Sequence, residues 1–172
     1  MLKIVIVEPE IFTLLGIKGA MEQSPDIEVT GDATSGKLGF QLIEQTNPDV
    51  VLVDLLLPDM SGLELTRSIK RKTNSKVVIF TNQTHSDFIN SAFRNGADSY
   101  MLKSADIELI ELAIKRAYLG RGCGSGRGCP NSISIDAVSL IAVLPQMRLG
   151  ISMFISVKTL PDFIRNNTNS AI

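Results

Sequence analysis

A chain of 172 residues carrying 17 basic and 18 acidic side chains has room for one ordinary domain, and a formal net charge of −1 excludes a strong polyanion-binding or membrane-surface signature for the whole. No apolar stretch reaches the ~18 residues needed to span a bilayer. The run before Glu8 is also too short for a signal peptide, so a cytoplasmic protein with no membrane attachment is expected.

In chain order, short runs rich in Val, Ile and Leu alternate with stretches of helical period, five times over. The runs predict strands over 2–7 (LKIVIV), 27–31, 50–53 (VVLV), 76–80 and 99–102 (SYML), and the stretches between and after them predict helices near 11–23, 36–46, 62–72, 86–95 and 106–119. In the third helix Leu63 and Ile69, with Thr66 beside them, fall on one face and charge on the other. Continuously apolar strands point to a parallel sheet covered by helices on both sides. The expected fold is therefore α/β: a doubly wound (βα)5 arrangement with a five-stranded parallel sheet, its ligand site at the carboxyl ends of the strands.

At residue 120 the pattern stops in a Gly-rich run, GRGCGSGRGCP, which reads as a linker over 120–132 between a domain of residues 1–119 and a shorter region, 133–172. Residues 1–120 carry 12 Lys and Arg against 16 Asp and Glu, while the last 52 carry 5 against 2, so an acidic body meets a mildly basic end. The only cysteines, Cys123 and Cys129, lie in the linker with no second pair to complete a zinc site, and read as free thiols. His85, the only histidine, is polar-flanked and reads as a solvated loop residue.

In this topology the residues just past each strand converge on one cleft: Glu8, Pro9 and Glu10 after the first, Asp54 after the third, Thr81 after the fourth and Lys103 after the fifth. Clustered carboxylates suit a hard cation such as Mg²⁺. A carboxylate could then attack a phosphoryl group in line, leaving a hydroxyl and an ammonium to bind its oxygens. That reading explains why Asp54 ends the apolar run DVVLVD, where an unpaired carboxylate would be costly.

Four segments, IVIVEPE, DVVLVDLLLPDMSGLEL, VVIFTN and GADSYMLKS, in this order and spacing, resemble the receiver domain of two-component response regulators over residues 2 to about 119. RNGADSYMLKSADIELIELAIKRA looks most like the NarL/LuxR subfamily. The resemblance implies that Asp54 is the phosphoacceptor, Thr81 and Lys103 the phosphoryl-binding switch residues, and Tyr100 the aromatic whose rotamer follows Thr81. It implies Mg²⁺ held by Glu8, Asp54 and the backbone carbonyl of Leu56. The family has two adjacent acids after strand one; here Glu8 matches the first and Pro9 stands at the second, leaving Glu10, one position on, as a further candidate ligand. Asn82 stands where a small residue commonly follows the switch threonine.

The same resemblance extends weakly into the last region, where MFISVKTL looks like the turn into the recognition helix of a helix-turn-helix. There Ser156 would cap the helix, Thr159 would pack or touch DNA, and Lys158 would meet phosphate. Pro161 breaks the pattern, so a truncated or degenerate DNA-binding region is expected.

The implied protein takes a phosphoryl group from a sensor histidine kinase onto Asp54. It signals toward transcription regulation, with homodimerisation as a further implication, and works as a switch rather than as a metabolic enzyme. Two other readings stay open. Pro9 motivates a phosphorylation-independent interaction module. An unrelated flavodoxin-like enzyme is disfavoured by the acidic VEPEIF where a flavin phosphate would need amides and hydroxyls.

Overall fold

Strands made of unbroken apolar residues are buried on both faces: every residue of VVLV at 50–53 and of SYML at 99–102 is buried. The computed structural model of the protein describes residues 1–120. The elements run β1 (Leu2–Val7), α1 (Ile11–Glu22), β2 (Ile27–Ala33), α2 (Gly36–Thr46), β3 (Val50–Val53), α3 (Gly62–Lys72), β4 (Lys76–Thr81), α4 (Ser86–Arg94), β5 (Ser99–Leu102) and α5 (Ile107–Leu119). The five strands pair in parallel in the order β2-β1-β3-β4-β5. The strand order reverses at β1, so a crevice opens beside the carboxyl ends of β1 and β3.

Alternate strand residues face opposite helix layers, which divides the interior into two cores. Ile4, Ile6, Leu52 and Val78 pack against Leu14, Ile17 and Met21 of α1 and Ile110 and Ile114 of α5. Val5, Val7, Val51 and Val53 pack against Ile43 of α2, Leu65 and Ile69 of α3 and Ala92 of α4. The third helix buries Gly62, Leu65, Thr66 and Ile69, so Thr66 and Ile69 lie on the core face as expected, while Leu63 is only partly covered at its edge and Leu65 takes the central place.

The strand β2 runs two residues past its predicted end. Its pairing with β1 shifts register between Ile4 and Val5, leaving Thr30 without a pairing partner, and Thr30 Oγ1 donates to the Ile4 carbonyl at 3.0 Å. On the outside, α1 keeps Ile11, Phe12 and Leu15 exposed while Leu14 and Ile17 face the core. No helix among the described residues is long and apolar enough to cross a membrane. The linker and the region of 133–172, with Cys123, Cys129, Ser156, Lys158 and Thr159, lie outside the described residues.

Candidate functional site

The sheet continues by single hydrogen bonds just past its named strands, and these bonds place the site. Glu8 N–H donates to the Ala33 carbonyl at 2.9 Å, Asp54 N–H to the Val7 carbonyl at 3.0 Å, and Lys103 N–H to the Thr81 carbonyl at 3.0 Å. The ends of the neighbouring strands β1 and β3, and of β5 one strand beyond β4, bring Glu8, Asp54 and Lys103 together. Lys103 Nζ donates to Glu8 Oε1 at 2.8 Å and to Asp54 Oδ2 at 2.9 Å. The Phe80 ring centroid lies 6.0 Å from the same ammonium.

The balance of charge is incomplete. Glu8 and Asp54 are 1% and 5% exposed, and one oxygen of each, Glu8 Oε2 and Asp54 Oδ1, is buried with no hydrogen-bond partner. Two buried carboxylates against one ammonium leave an excess of negative charge. Burial pushes the Glu8 carboxyl above its ordinary range, against the lowering effect of Lys103 and of the Glu10 N–H, which donates to Glu8 Oε1 at 3.1 Å. Burial opposes the charge of Lys103, but its hydrogen bonds to Glu8 and Asp54 and their charges outweigh it and hold the ammonium above its usual value.

The two orphaned carboxylate oxygens test whether Mg²⁺ fits. A hard cation that keeps several waters needs only one or two protein carboxylates, and Glu8 Oε2 and Asp54 Oδ1 are acceptors of that kind. Among the described residues no group of three His, Cys, Asp or Glu side chains comes together as a metal cluster. Two residues account for this: Pro9 has no ligating side chain, and Glu10 is exposed, its Oε2 accepting from Thr13 Oγ1 at 2.8 Å. The acidic pair thus fits a water-rich Mg²⁺ site.

Asp54 opens the loop between β3 and α3. Leu56 bridges to Ser61 across this loop, with its side chain 60% exposed. The loop ends where Gly62 N–H donates to the Leu55 carbonyl at 2.9 Å and where Ser61 and Glu64 form a capping box at the start of α3. Its tip carries Asp59, whose carboxylate accepts from the Gly36 and Lys37 amides of α2. Sequence reasoning missed Asp59, since Pro58-Asp59 reads as an ordinary turn and nothing local tells which helix the carboxylate reaches.

Thr81 ends β4, 1% exposed and paired with Leu102. Tyr100, on the edge strand β5, is wholly buried and belongs to the core cluster that includes residues of α3 and α4. Its hydroxyl donates to the Gln83 carbonyl at 2.9 Å, and burial, with the charge of Asp54, pushes the phenol up to about 12. Asn82 and His85 are exposed in the β4–α4 connection, His85 at the N-cap of α4.

The family model described as response regulator receiver domain matches residues 4–115. The nitrate/nitrite response regulator protein NarL of Escherichia coli (strain K12) is 36% identical over 106 residues, which are 61% of this chain and 49% of NarL, so the chain matches about half that relative's length. The transcriptional regulatory protein LiaR of Bacillus subtilis (strain 168) is 26% identical over an alignment taking in 96% of this chain and 89% of LiaR. A solved DNA-binding response regulator of the LuxR family from Staphylococcus aureus superposes with a TM-score of 0.66 at 29% identity, over 69% of this chain and 99% of that one.

Proposed function

Because this chain belongs to the response regulator receiver domain family, we propose that it is a phosphorylation switch of a two-component system that accepts its phosphoryl group on Asp54. One observation carries the reading: Lys103 Nζ joins Glu8 and Asp54 while Glu8 Oε2 and Asp54 Oδ1 stay buried and unpartnered. Such an arrangement is poised for added positive charge and then for a phosphoryl group.

In the reaction, an Asp54 carboxylate oxygen attacks the phosphorus of a phosphohistidine on a sensor histidine kinase. The new O–P bond makes an acyl phosphate, the P–N bond breaks, and the imidazole leaves with the electron pair. Lys103, already within hydrogen-bond reach of Asp54, is placed to bind a phosphoryl oxygen, and the Thr81 hydroxyl at the neighbouring strand end is the second donor. Glu8, Asp54 and the Leu56 carbonyl would hold Mg²⁺, whose chemistry is to neutralise the phosphoryl oxygens as charge develops.

Tyr100 would follow Thr81 and release its bond to Gln83, carrying the change to the β4–β5–α5 face. The output is transcription regulation in the cytoplasm, through DNA contacts that include Ser156, Lys158 and Thr159 and through homodimerisation. Loss of the phosphoryl group by hydrolysis belongs to the switch and is not a metabolic activity.

Pro9, with Glu10 turned to Thr13, favours a second reading: an interaction module that works without phosphorylation. Phosphoryl incorporation from acetyl phosphate across a Mg²⁺ titration, in the wild type, Asp54→Asn and Glu8→Gln, decides between them. Incorporation that needs Mg²⁺, Asp54 and Glu8 is expected. Folded protein that takes up no phosphoryl at any Mg²⁺ concentration, and binds its partner equally with Asp54→Asn, would establish the second reading instead.

A further inference from the structure

The loop that follows Asp54 is tied to a helix with which the chain does not connect it directly. At the start of α2, Asp59 Oδ1 accepts from the Gly36 N–H at 2.7 Å and Oδ2 from the Lys37 N–H at 2.9 Å. Every helix start leaves such amides without an intrahelical acceptor. The next, Leu38 N–H, goes to α2's own Ser35 Oγ at 3.5 Å. The cap of α2 is therefore shared between Ser35 and a carboxylate from the β3–α3 loop. The hydrogen bond from Lys37 N–H, supported by that from Gly36, holds the exposed Asp59 carboxyl below its ordinary range against a smaller opposing loss of hydration.

Packing follows the same line. A Cβ on Gly36 would meet Met60 Sδ at 2.7 Å, so the residue after Asp59 lies directly on the helix start. Further along α2, a Cβ on Gly39 would meet Val7 Cγ2 at 2.7 Å, so the helix is seated on the residue preceding Glu8. One rigid helix thus touches both chain segments that build the site, the end of β1 and the loop after β3.

We propose that Asp59 is a positioning residue for cation binding: by clamping the β3–α3 loop to α2, it holds the Leu56 carbonyl in register with Glu8 and Asp54. The proposal rests on the reading of the site given above. Pro9 sharpens it, because a site with only two converging carboxylates leans more on its backbone ligand. A carbonyl on a loose loop would have to be ordered at each binding event, at a cost in conformational entropy.

The test is an NMR titration of the full chain with Mg²⁺ alone, comparing wild type, Asp59→Ala, Asp59→Asn and Ser35→Ala, with amide exchange of residues 55–61 measured on the same samples. Ser35→Ala weakens the α2 cap without touching the loop, so it separates positioning from simple helix loss. The half-saturating Mg²⁺ concentration is expected to rise about tenfold in Asp59→Ala. Asp59→Asn, which keeps one acceptor, should recover part of it, and Ser35→Ala should behave as wild type.

Equal Mg²⁺ binding in Asp59→Ala and wild type, or an equal shift in Ser35→Ala, would overturn the proposal. A wild type with no Mg²⁺ response would overturn the reading of the site as a metal-assisted acceptor. In that event exchange decides on the clamp: faster exchange at 55–61 in Asp59→Ala than in Ser35→Ala supports it, and identical exchange removes it.

Discussion

Gly62 lies so close beneath Asp54 that a Cβ there would fall inside the van der Waals surface of the Asp54 carbonyl oxygen and 2.8 Å from Leu55 Cα. Both obstacles are backbone, so neither can swing aside. Gly62→Ala should therefore force the loop off β3 and lower stability by about 1–3 kcal/mol. Urea unfolding of wild type and variant reads this as a lower midpoint at an unchanged slope.

Lys103→Met removes the only ammonium among the described residues that joins Glu8 and Asp54, and leaves two buried carboxylates without it. The expected loss near neutral pH is about 3–5 kcal/mol. Burial already raises Glu8 above its ordinary 4.5, and without Lys103 its folded value rises further. A raised carboxyl contributes stability that is full below the unfolded value and lost as pH rises through the folded one. The deficit of the variant should thus be larger at pH 8 than at pH 5, which denaturant unfolding at the two pH values will show.

Tyr100→Phe deletes the hydroxyl bonded to the Gln83 carbonyl and should cost about 1 kcal/mol near neutral pH. At alkaline pH the order reverses. The wild-type phenol ionises near 10 when unfolded and near 12 when folded, so its share of stability is full below pH 10 and lost as pH rises through about 12. That share is about 2–3 kcal/mol. Thermal unfolding from pH 8 to 12 should show a steeper alkaline decline in the wild type than in Tyr100→Phe, the remainder coming from Lys103, which is also held above its ordinary 10.5.

Pro9→Asp restores a side-chain acid beside Glu8. If the cleft binds Mg²⁺ as proposed, a third carboxylate should tighten binding roughly tenfold. Calorimetric titration of Mg²⁺ into both proteins measures the difference; unchanged affinity would mean that residue 9 faces away from the cation.

The strands and their parallel order were legible because burial on two sides demands unbroken apolar runs, and VVLV at 50–53 can satisfy little else. The meeting of Glu8, Asp54 and Lys103 was legible from topology, since each comes just after a strand end. In α3 the buried set Gly62, Leu65, Thr66 and Ile69 follows the i, i+3, i+4, i+7 period, so Leu65 was legible as the inward leucine, and the expectation on Leu63 missed a signal that was there. What could not be read was reach. Tyr100 is covered by residues from the α3 and α4 side, so its place on an edge strand says nothing of its burial. Whether Glu10 reaches the cleft has no signature in the order of residues; in the fold it is exposed and a nearby hydroxyl, Thr13, donates to it. Asp59 is the extreme case, because its partners lie 22 and 23 residues earlier across the molecule.

The bridge made by Lys103 also dictates an order of assembly. Its carboxylate partners stand 49 and 95 residues earlier, so during synthesis Glu8 and Asp54 leave the ribosome well before the ammonium that balances them. At about 5–20 residues per second, that interval lasts seconds. Until β5 is made, a nascent sheet of β1 to β4 would have to bury two like charges together, which opposes its early closure. Synthesis of β5 and Lys103 would remove that opposition, leaving α5 still to come and to close the core with Ile110 and Ile114.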